Sequence, residues 1–495
     1  MKFAGFSTGK VIAAAVVLAW VVLLGIFVWR NYENKAASAQ VSMASDASGH
    51  LEEEWYSILF KGKKAGWVHN SYSELPDGRR MVSDTFLKIL ALGEVQEMRM
   101  NLDAEMDSKL YLRRFSMRLS SQLQNMSIEG EVSGRQLTFR IRSPAESEPV
   151  EQKITLNEPP ALMDMVGQYA LQKGLKVGTK FSIPVFDPIT QNNAKADAEV
   201  VREEKVKVGS KVVDTFVVRV TYLGMEMTNW VDATGRMVKS DSPMGLSTVL
   251  TNKEDALSLD DAGKVDIVAA SAVTVDKYIP DSRQLTYLKV RLLGVEFFEG
   301  LALNGDHRVF KDGVLEVKTP VIGGGYELPD NDPSRKAERS PEPLIQSNDP
   351  AIKAAAGEAV GNVTGSVEAA RRINQWVYSK LQKAGTFTVP SAVEVLKSRR
   401  GDCNEHTQLY VAMARSVGLP ARPAVGVVYL SSAFYYHAWP EVWLGADSGW
   451  VPIDPTFGQF PADATHLRMV AGSLEKQAEI VRFVGKLSIE VIEYK

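Results

Sequence analysis

Cys403 is the only cysteine among 495 residues. It stands in the stretch SRRGDCNEHTQLY, from Ser398 to Tyr410. An ordinary thiol has a pKa of about 8.5 and is mostly protonated at neutral pH, so a nucleophilic cysteine needs help to ionise. The sequence offers that help in two forms. Cys403 follows Gly401 and Asp402 and opens a helix-like run, which puts it in a first helical turn. Unpaired N–H groups and the positive helix end favour the thiolate there. His437, in the stretch YHAWPEV, can take or share the proton, and the resulting imidazolium stabilises the thiolate further. Asp454, in the stretch GWVPIDPT, can accept from the other imidazole nitrogen and fix its tautomer. The backbone N–H of Cys403 can serve in an oxyanion hole, for which the sequence names no second donor.

These three residues lie far apart in the chain, so the fold has to bring them together. The pattern after Asp349 is helical. Ile373, Trp376, Val377 and Leu381 sit at helical spacing between about 366 and 383. Ser391 and Glu394 form a capping-box pattern that opens a short helix. A further helix runs from about Asn404 to Val417 and is ended by Gly418, Leu419 and Pro420. Short strand-like runs follow at 424–430, 437–444 and 450–453. Two adjacent antiparallel strands would deliver His437 and Asp454 side by side, facing the helix end.

Together, the stretches around Cys403, His437 and Asp454, with Gly418 to Arg422 and His437 to Glu441, resemble the core of the transglutaminase-like superfamily. The likeness is closest to its bacterial, membrane-anchored members and covers about 349–460. It implies a papain-related α+β fold and a catalytic triad of Cys403, His437 and Asp454. It also implies thiol acyl transfer, in which Cys403 attacks a carboxamide or peptide bond and water or an amine resolves the thioester. Relatives include proteases, amidases, deamidases and cross-linkers. Hydrolysis of peptide or amide bonds is favoured, because water is always present and no amine site is visible. The alternatives are a cross-linking transglutaminase and a binding module that keeps the fold without the chemistry. No cofactor is implied. No metal is implied either: His406 lies three positions after Cys403, but no second thiol or close histidine pair accompanies it.

The rest of the chain sets the architecture. Residues 52–257 read as an antiparallel β-rich domain of unassigned role, with period-two alternation in Gln136–Arg142 and, less strictly, in Thr215–Tyr222. A helical patch near Pro160 to Lys173 interrupts it. A second β-rich segment spans 258–320, as a small module or a continuation of the first sheet. Residues 321–349, rich in Gly, Asp, Asn and Pro, read as a linker unable to order itself fully. The transglutaminase-like catalytic domain occupies 350–495. The expected fold class is thus α+β: an N-terminal transmembrane helix, a large antiparallel β-rich region and a papain-like C-terminal domain.

The first 30 residues read as a cytoplasmic tip and an anchor. Val11 to Trp29 holds nineteen residues without a charge. As a helix it would span roughly 28 Å, close to the ~30 Å of a hydrocarbon core. Lys2 and Lys10 precede it, so the positive-inside rule keeps the N-terminus cytoplasmic. A stalk at 31–51 follows. The bulk of the chain is then expected on the periplasmic face of a bacterial inner membrane, with a protein, peptide or cell-envelope polymer as substrate. A net charge of −3 gives no footprint for nucleic acid. Read singly, Trp376, Trp439, Trp443 and Trp450 are walls of the core, and Asp402 and Glu405 are solvated or locally hydrogen-bonded.

Overall fold

The computed structural model describes residues 52–495 except 92–93, 122–124, 143–149, 188–191, 223–224, 243–244, 260–261, 264–271, 296, 298–300, 343, 385–390, 473–479, 481–482 and 484. The expected anchor at Val11–Trp29 lies outside the described residues. Among those described, no helix is long and apolar enough to cross a membrane. The chain divides near residue 267 into two compact units.

The first unit is a fourteen-stranded sheet in which every strand pair is antiparallel. Its first strand, Glu52–Phe60, lies at the centre, between Lys63–Leu75 and the last strand, Leu246–Thr251. The chain meanders from the centre to one edge at Val150–Thr155. It passes through the short helix Val166–Gln172 and returns from the opposite edge at Lys180–Asp187. The alternation read from the sequence decides which side chains turn inward. In Gln136–Arg142, Leu137 and Phe139 are buried between more exposed neighbours. The looser alternation of Lys211–Tyr222, where Val217 and Val218 are both buried, accompanies a register shift between Val200 and Arg202 on the partner strand.

The second unit joins two segments that the sequence keeps apart. A five-stranded sheet is built from Thr274–Val275, Tyr287–Leu293, Arg308–Lys311 and Val314–Lys318. The chain's last strand, Ser488–Tyr494, is inserted between the first two of these. Residues 272–320 therefore contribute to the unit that holds the C-terminal domain, while the start of the expected second segment belongs to the first unit. Helices Pro350–Val360, Ser366–Lys380, Ala392–Ser398 and Cys403–Ser416 come next, followed by a four-stranded sheet. Its order is Trp450–Pro452, Ala433–Trp443, Ala421–Leu430, Leu467–Ala471.

Caps fix the starts of these helices. Asp349 accepts from the N–H groups of Ala351 and Ile352, with Pro350 at the first helical position. Ser391 and Glu394 form the capping box expected from the sequence. The Cys403 helix is buried from Cys403 to Arg415, so it is covered on all sides. Leu409, Tyr410 and Met413 pack with Ile373, Val377 and Ile453 in one core, each large apolar side chain contributing about 1.5–3 kcal/mol on burial. The Tyr410 hydroxyl donates to the Ala370 carbonyl at 3.1 Å, tying this helix to Ser366–Lys380.

The segment 321–349 corrects the linker expectation. Ile345 is buried in that same core, and Ile322, Tyr326 and Leu328 pack against it. Arg335 and Arg339 converge on the buried Asp330, and Glu342 meets Arg415 at 2.8 Å. Ile322, Tyr326, Leu328 and Ile345 are sparse in sequence but dock on one existing surface, so the segment needs no core of its own.

One position in the four-stranded sheet tolerates no side chain. A Cβ on Gly426 would sit 2.0 Å from the Leu467 carbonyl oxygen, where the ladder shifts register between Val425 and Gly426. The obstacle is backbone, which cannot rotate away. Gly426→Ala is expected to destabilise the protein by about 2–3 kcal/mol, the upper range for overpacking. Denaturant unfolding measures it; an unchanged midpoint would show that the strand pair yields freely.

Candidate active site

Cys403 is the first residue of its helix and is fully buried. Asp402 is the N-cap. Its carboxylate accepts from Asn404 N–H at 2.8 Å, while Glu405 reaches back to the Asp402 N–H at 2.8 Å. The pair forms a capping box, and both residues are buried rather than solvated. A negative cap already occupies the positive helix end. Burial pushes the Cys403 thiol well up. Asp402, Glu405 and Asp454 push the same way, and only the hydrogen bond from the Ala438 N–H opposes them. The expectation that the helix end yields a resting thiolate is therefore corrected: desolvation and three nearby carboxylates outweigh the helix dipole. The Ala438 bond also locates the sulfur, against the peptide that follows His437.

His437 lies in the middle of the strand Ala433–Trp443, directly across from Gly426. Its ring stacks on Phe457, with centroids 5.0 Å apart, and on Trp439 at 6.0 Å. Nε2 donates to Asp454 Oδ2 at 2.7 Å, and Nδ1 is buried with no hydrogen-bond partner. Burial holds the His437 pKa below its ordinary value, although Asp454 pulls it up. The resting ring is a neutral imidazole with its lone pair on Nδ1.

Asp454 sits just beyond the strand Trp450–Pro452, in a tight loop closed by paired backbone bonds between Asp454 and Gln459. Oδ1 accepts from Thr456 N–H at 2.7 Å and Phe457 N–H at 3.1 Å. Oδ2 accepts from His437 and, at 3.1 Å, from His466 Nε2. Burial opposes its ionisation, yet His437 and His466 together hold it well below the usual carboxylate range. His466 was not among the sequence candidates. It comes 12 positions after Asp454, beyond the resembling stretch, and nothing local marks it.

His437, Asp454 and His466 bring donor atoms within 4.8 Å of one another, a pattern that can hold a metal. The geometry fits hydrogen bonding better. Four ligands on ~2.1 Å bonds to zinc stand about 3.4 Å apart, whereas His437 Nε2 and Asp454 Oδ2 are only 2.7 Å apart. His406 is elsewhere engaged: its Nδ1 lies 2.5 Å from the Asp402 carbonyl oxygen, and burial lowers its pKa to about 4. Trp439 is a buried wall whose indole N–H has no partner. Trp376 donates to Glu358, and Trp443 packs edge-on to Trp450.

A second buried carboxylate lies on the strand that carries His437. Glu441 meets Arg468 at 2.6 Å, Arg422 at 2.9 Å and Arg308 at 3.1 Å. Arg422 comes from the adjacent strand, Arg468 from the strand beyond it and Arg308 from the five-stranded sheet, so Glu441 ties together the strands that carry His437 and follow His466.

Residues 353–455 match the model of the transglutaminase-like superfamily, and residues 56–251 match a protein family of unknown function, DUF3108. No curated protein matches the chain. Among solved structures, a cysteine-protease candidate from Cytophaga hutchinsonii is 15% identical, covering 43% of this chain and 86% of its own, at a TM-score of 0.29. The periplasmic domain of TgpA from Pseudomonas aeruginosa is 16% identical, covering 39% and 91%, at 0.25. A β-barrel-like DUF1849 protein from Brucella abortus is 8% identical, covering 41% and 95%, at 0.31.

Glu441 generates a stability prediction. Burial opposes its charge, but Arg468, Arg308 and Arg422 pull its pKa down to about 2. A carboxyl depressed from an unfolded value of about 4.3 contributes stability that is present above that pH and lost as pH falls towards 2. Glu441→Gln leaves the buried guanidinium groups of Arg308 and Arg468, and the half-buried Arg422, without their counter-charge and is expected to cost about 3–5 kcal/mol at neutral pH. Thermal unfolding from pH 7 to 2 checks both points. The variant should be less stable at pH 7 and lose less on acidification than the wild type.

Proposed function

With residues 353–455 forming a domain of the transglutaminase-like superfamily, we propose that this protein is a cysteine acyl-transfer enzyme that hydrolyses peptide or amide bonds through a thioester on Cys403. The observation that carries the reading is the grouping of three side chains at one buried site, in which Cys403 and His437 make no direct hydrogen bond. A thiol lies beside the peptide that follows His437, the imidazole has an unoccupied Nδ1, and its Nε2–H is held by a buried carboxylate.

Thiol and imidazole are both neutral at rest, so proton transfer accompanies attack. His437 Nδ1 takes the Cys403 proton as the sulfur bonds to the carbonyl carbon. The N–H of Cys403, in the first turn where helices leave donors unpaired, faces the developing oxyanion. The tetrahedral intermediate collapses by breaking the C–N bond. The His437 imidazolium gives its proton to the departing amine and leaves a thioester. Water, deprotonated by His437, then attacks the thioester, releases the acid and returns the thiol. Asp454 keeps Nε2 protonated throughout and stabilises the transient imidazolium.

The substrate is a protein, a peptide or a cell-envelope polymer. The segment Val11–Trp29 anchors the chain as a single span with the N-terminus cytoplasmic, which puts the acyl chemistry on the periplasmic face. The full burial of Cys403 favours a second reading, a binding module without turnover.

Cys403→Ala should lower turnover of a peptide library by at least about a thousandfold, and acyl-enzyme should form only on the wild type. Equal turnover would remove Cys403 from the chemistry, and no turnover by either form would favour the binding module. For the anchor, the full chain should sediment with membranes through an alkaline wash and a chain lacking residues 2–30 should not. Release of both would refute the span.

A further inference from the structure

We propose that His466 is a second histidine on the Asp454 carboxylate, held as an imidazolium, and that it acts through Asp454 to keep His437 a neutral base. The inference rests on the catalytic reading of Cys403, His437 and Asp454 and adds a positioning residue to it.

The charge of His466 follows from its neighbours. A neutral imidazole has one N–H and one lone pair. Nε2 of His466 faces Asp454 Oδ2 at 3.1 Å, while Nδ1 faces the Asp463 carbonyl oxygen at 3.1 Å and Asp463 Oδ1 at 3.4 Å. All three are acceptors. Asp454 is ionised, because its oxygens receive two backbone N–H groups and the His437 ring. Asp463 is ionised too: Arg283 Nη1 lies 3.0 Å from Oδ2, and Thr465 N–H donates to Oδ1 at 2.8 Å. A lone pair on either nitrogen of His466 would point at an acceptor, so both nitrogens carry protons. His437 differs, since Nδ1 has no acceptor and one N–H satisfies it.

The count of charges in direct contact with His466, which leaves out the more distant Lys383, runs the same way. The groups facing His466 are Asp454 and His437, Asp463 from its own loop, and Arg283 from the turn Ser282–Gln284. Beyond Asp454 lie Cys403 and Lys383. Arg468, two residues on, is turned to Glu441. Two carboxylates balance one guanidinium and one imidazolium only if that imidazolium is single. With His466 charged, a proton on His437 would unbalance the buried site, and with His466 neutral, His437 would take the proton. The shifts run the same way: burial opposes a charged His466, but Asp463 and Asp454 raise it, while His466 lowers His437. The functional consequence is a base that stays unprotonated beside a carboxylate and becomes a stronger acid towards the leaving amine once it has taken the thiol proton.

The chain holds six histidines, so ¹⁵N-histidine labelling of the full-length protein gives a readable spectrum of ring nitrogens. At pH 7.5, a histidine of ordinary pKa about 6.5 is roughly nine-tenths neutral. One ring with both nitrogens protonated is expected at that pH in the wild type. It should vanish in His466→Gln, whose amide can still donate to Asp454. In that variant the His437 midpoint should rise by about one pH unit, and Asp463→Asn should move it the same way. A wild-type spectrum without an imidazolium at pH 7.5 overturns the proposal and needs no variant to fold. So does an unchanged His437 midpoint in either variant. Neither reading needs a substrate, so a chain without turnover still tests the charge on His466. If turnover is found, His466→Gln should move the acid limb of kcat/KM upward by about one unit, because His437 then holds its proton to higher pH. A uniform loss at every pH would instead mark His466 as structural only.

Discussion

The second unit is organised around a carboxylate that water cannot reach. Burying a carboxylate costs several kcal/mol unless its oxygens are bonded and its charge is balanced. Asp454 meets both demands. Two backbone N–H groups of its own loop occupy one oxygen and two imidazoles occupy the other. The loop therefore has to close tightly, as the paired bonds between Asp454 and Gln459 show. The His437 ring has to lie flat between Phe457 and Trp439, with Nε2 turned to the carboxylate. That leaves Nδ1 as the only nitrogen for chemistry. The tautomer, the ring plane and the direction of proton transfer all follow from satisfying one buried charge.

The same burial decides the state of the thiol. A helix N-terminus is worth about 0.3–1 kcal/mol to a negative charge in exposed settings and up to ~2 kcal/mol when partly buried. Here that end is capped by Asp402, and Glu405 and Asp454 add further negative charge near a fully buried sulfur. The balance goes to the neutral thiol. In the proposed reaction His437 acts as a base during attack, and no standing thiolate is needed. A protected thiol also suits a chain whose single cysteine would otherwise invite oxidation.

What the sequence reveals depends on how local the cause is. The Cys403 helix, its Gly418 terminus and the Ser391 capping box are set by neighbouring residues and were readable. The alternation of Gln136–Arg142 likewise specifies a strand. The meeting of Cys403, His437 and Asp454 came from the resemblance of their surroundings, since spacing alone cannot join three distant points. His466 lies past that resemblance, and its partners Asp463 and Asp454 acquire meaning only once the loop folds back. The strand Ser488–Tyr494 pairs with residues some two hundred positions earlier, which no local pattern encodes. The segment 321–349 was misread because its composition predicts an inability to form a core, and it uses one formed by others.

Register joins these features. Across the four-stranded sheet, Gly426 is the partner of His437 on one side and of Arg468 on the other. Directly paired residues share a face, so a side chain at 426 would stand in the row between them. His437 and Glu441 lie four residues apart on one strand, hence on one face, and His466 stands just ahead of the strand that carries Arg468. Both buried carboxylates are matched from beyond Gly426: Arg468 reaches Glu441, and His466 reaches the Asp454 that holds His437. A one-residue slip of the strand Leu467–Ala471 would turn Arg468 to the opposite face and leave the buried Glu441 with two of its three arginines. The Glu441–Arg468 ion pair therefore favours the register that brings His466 to Asp454.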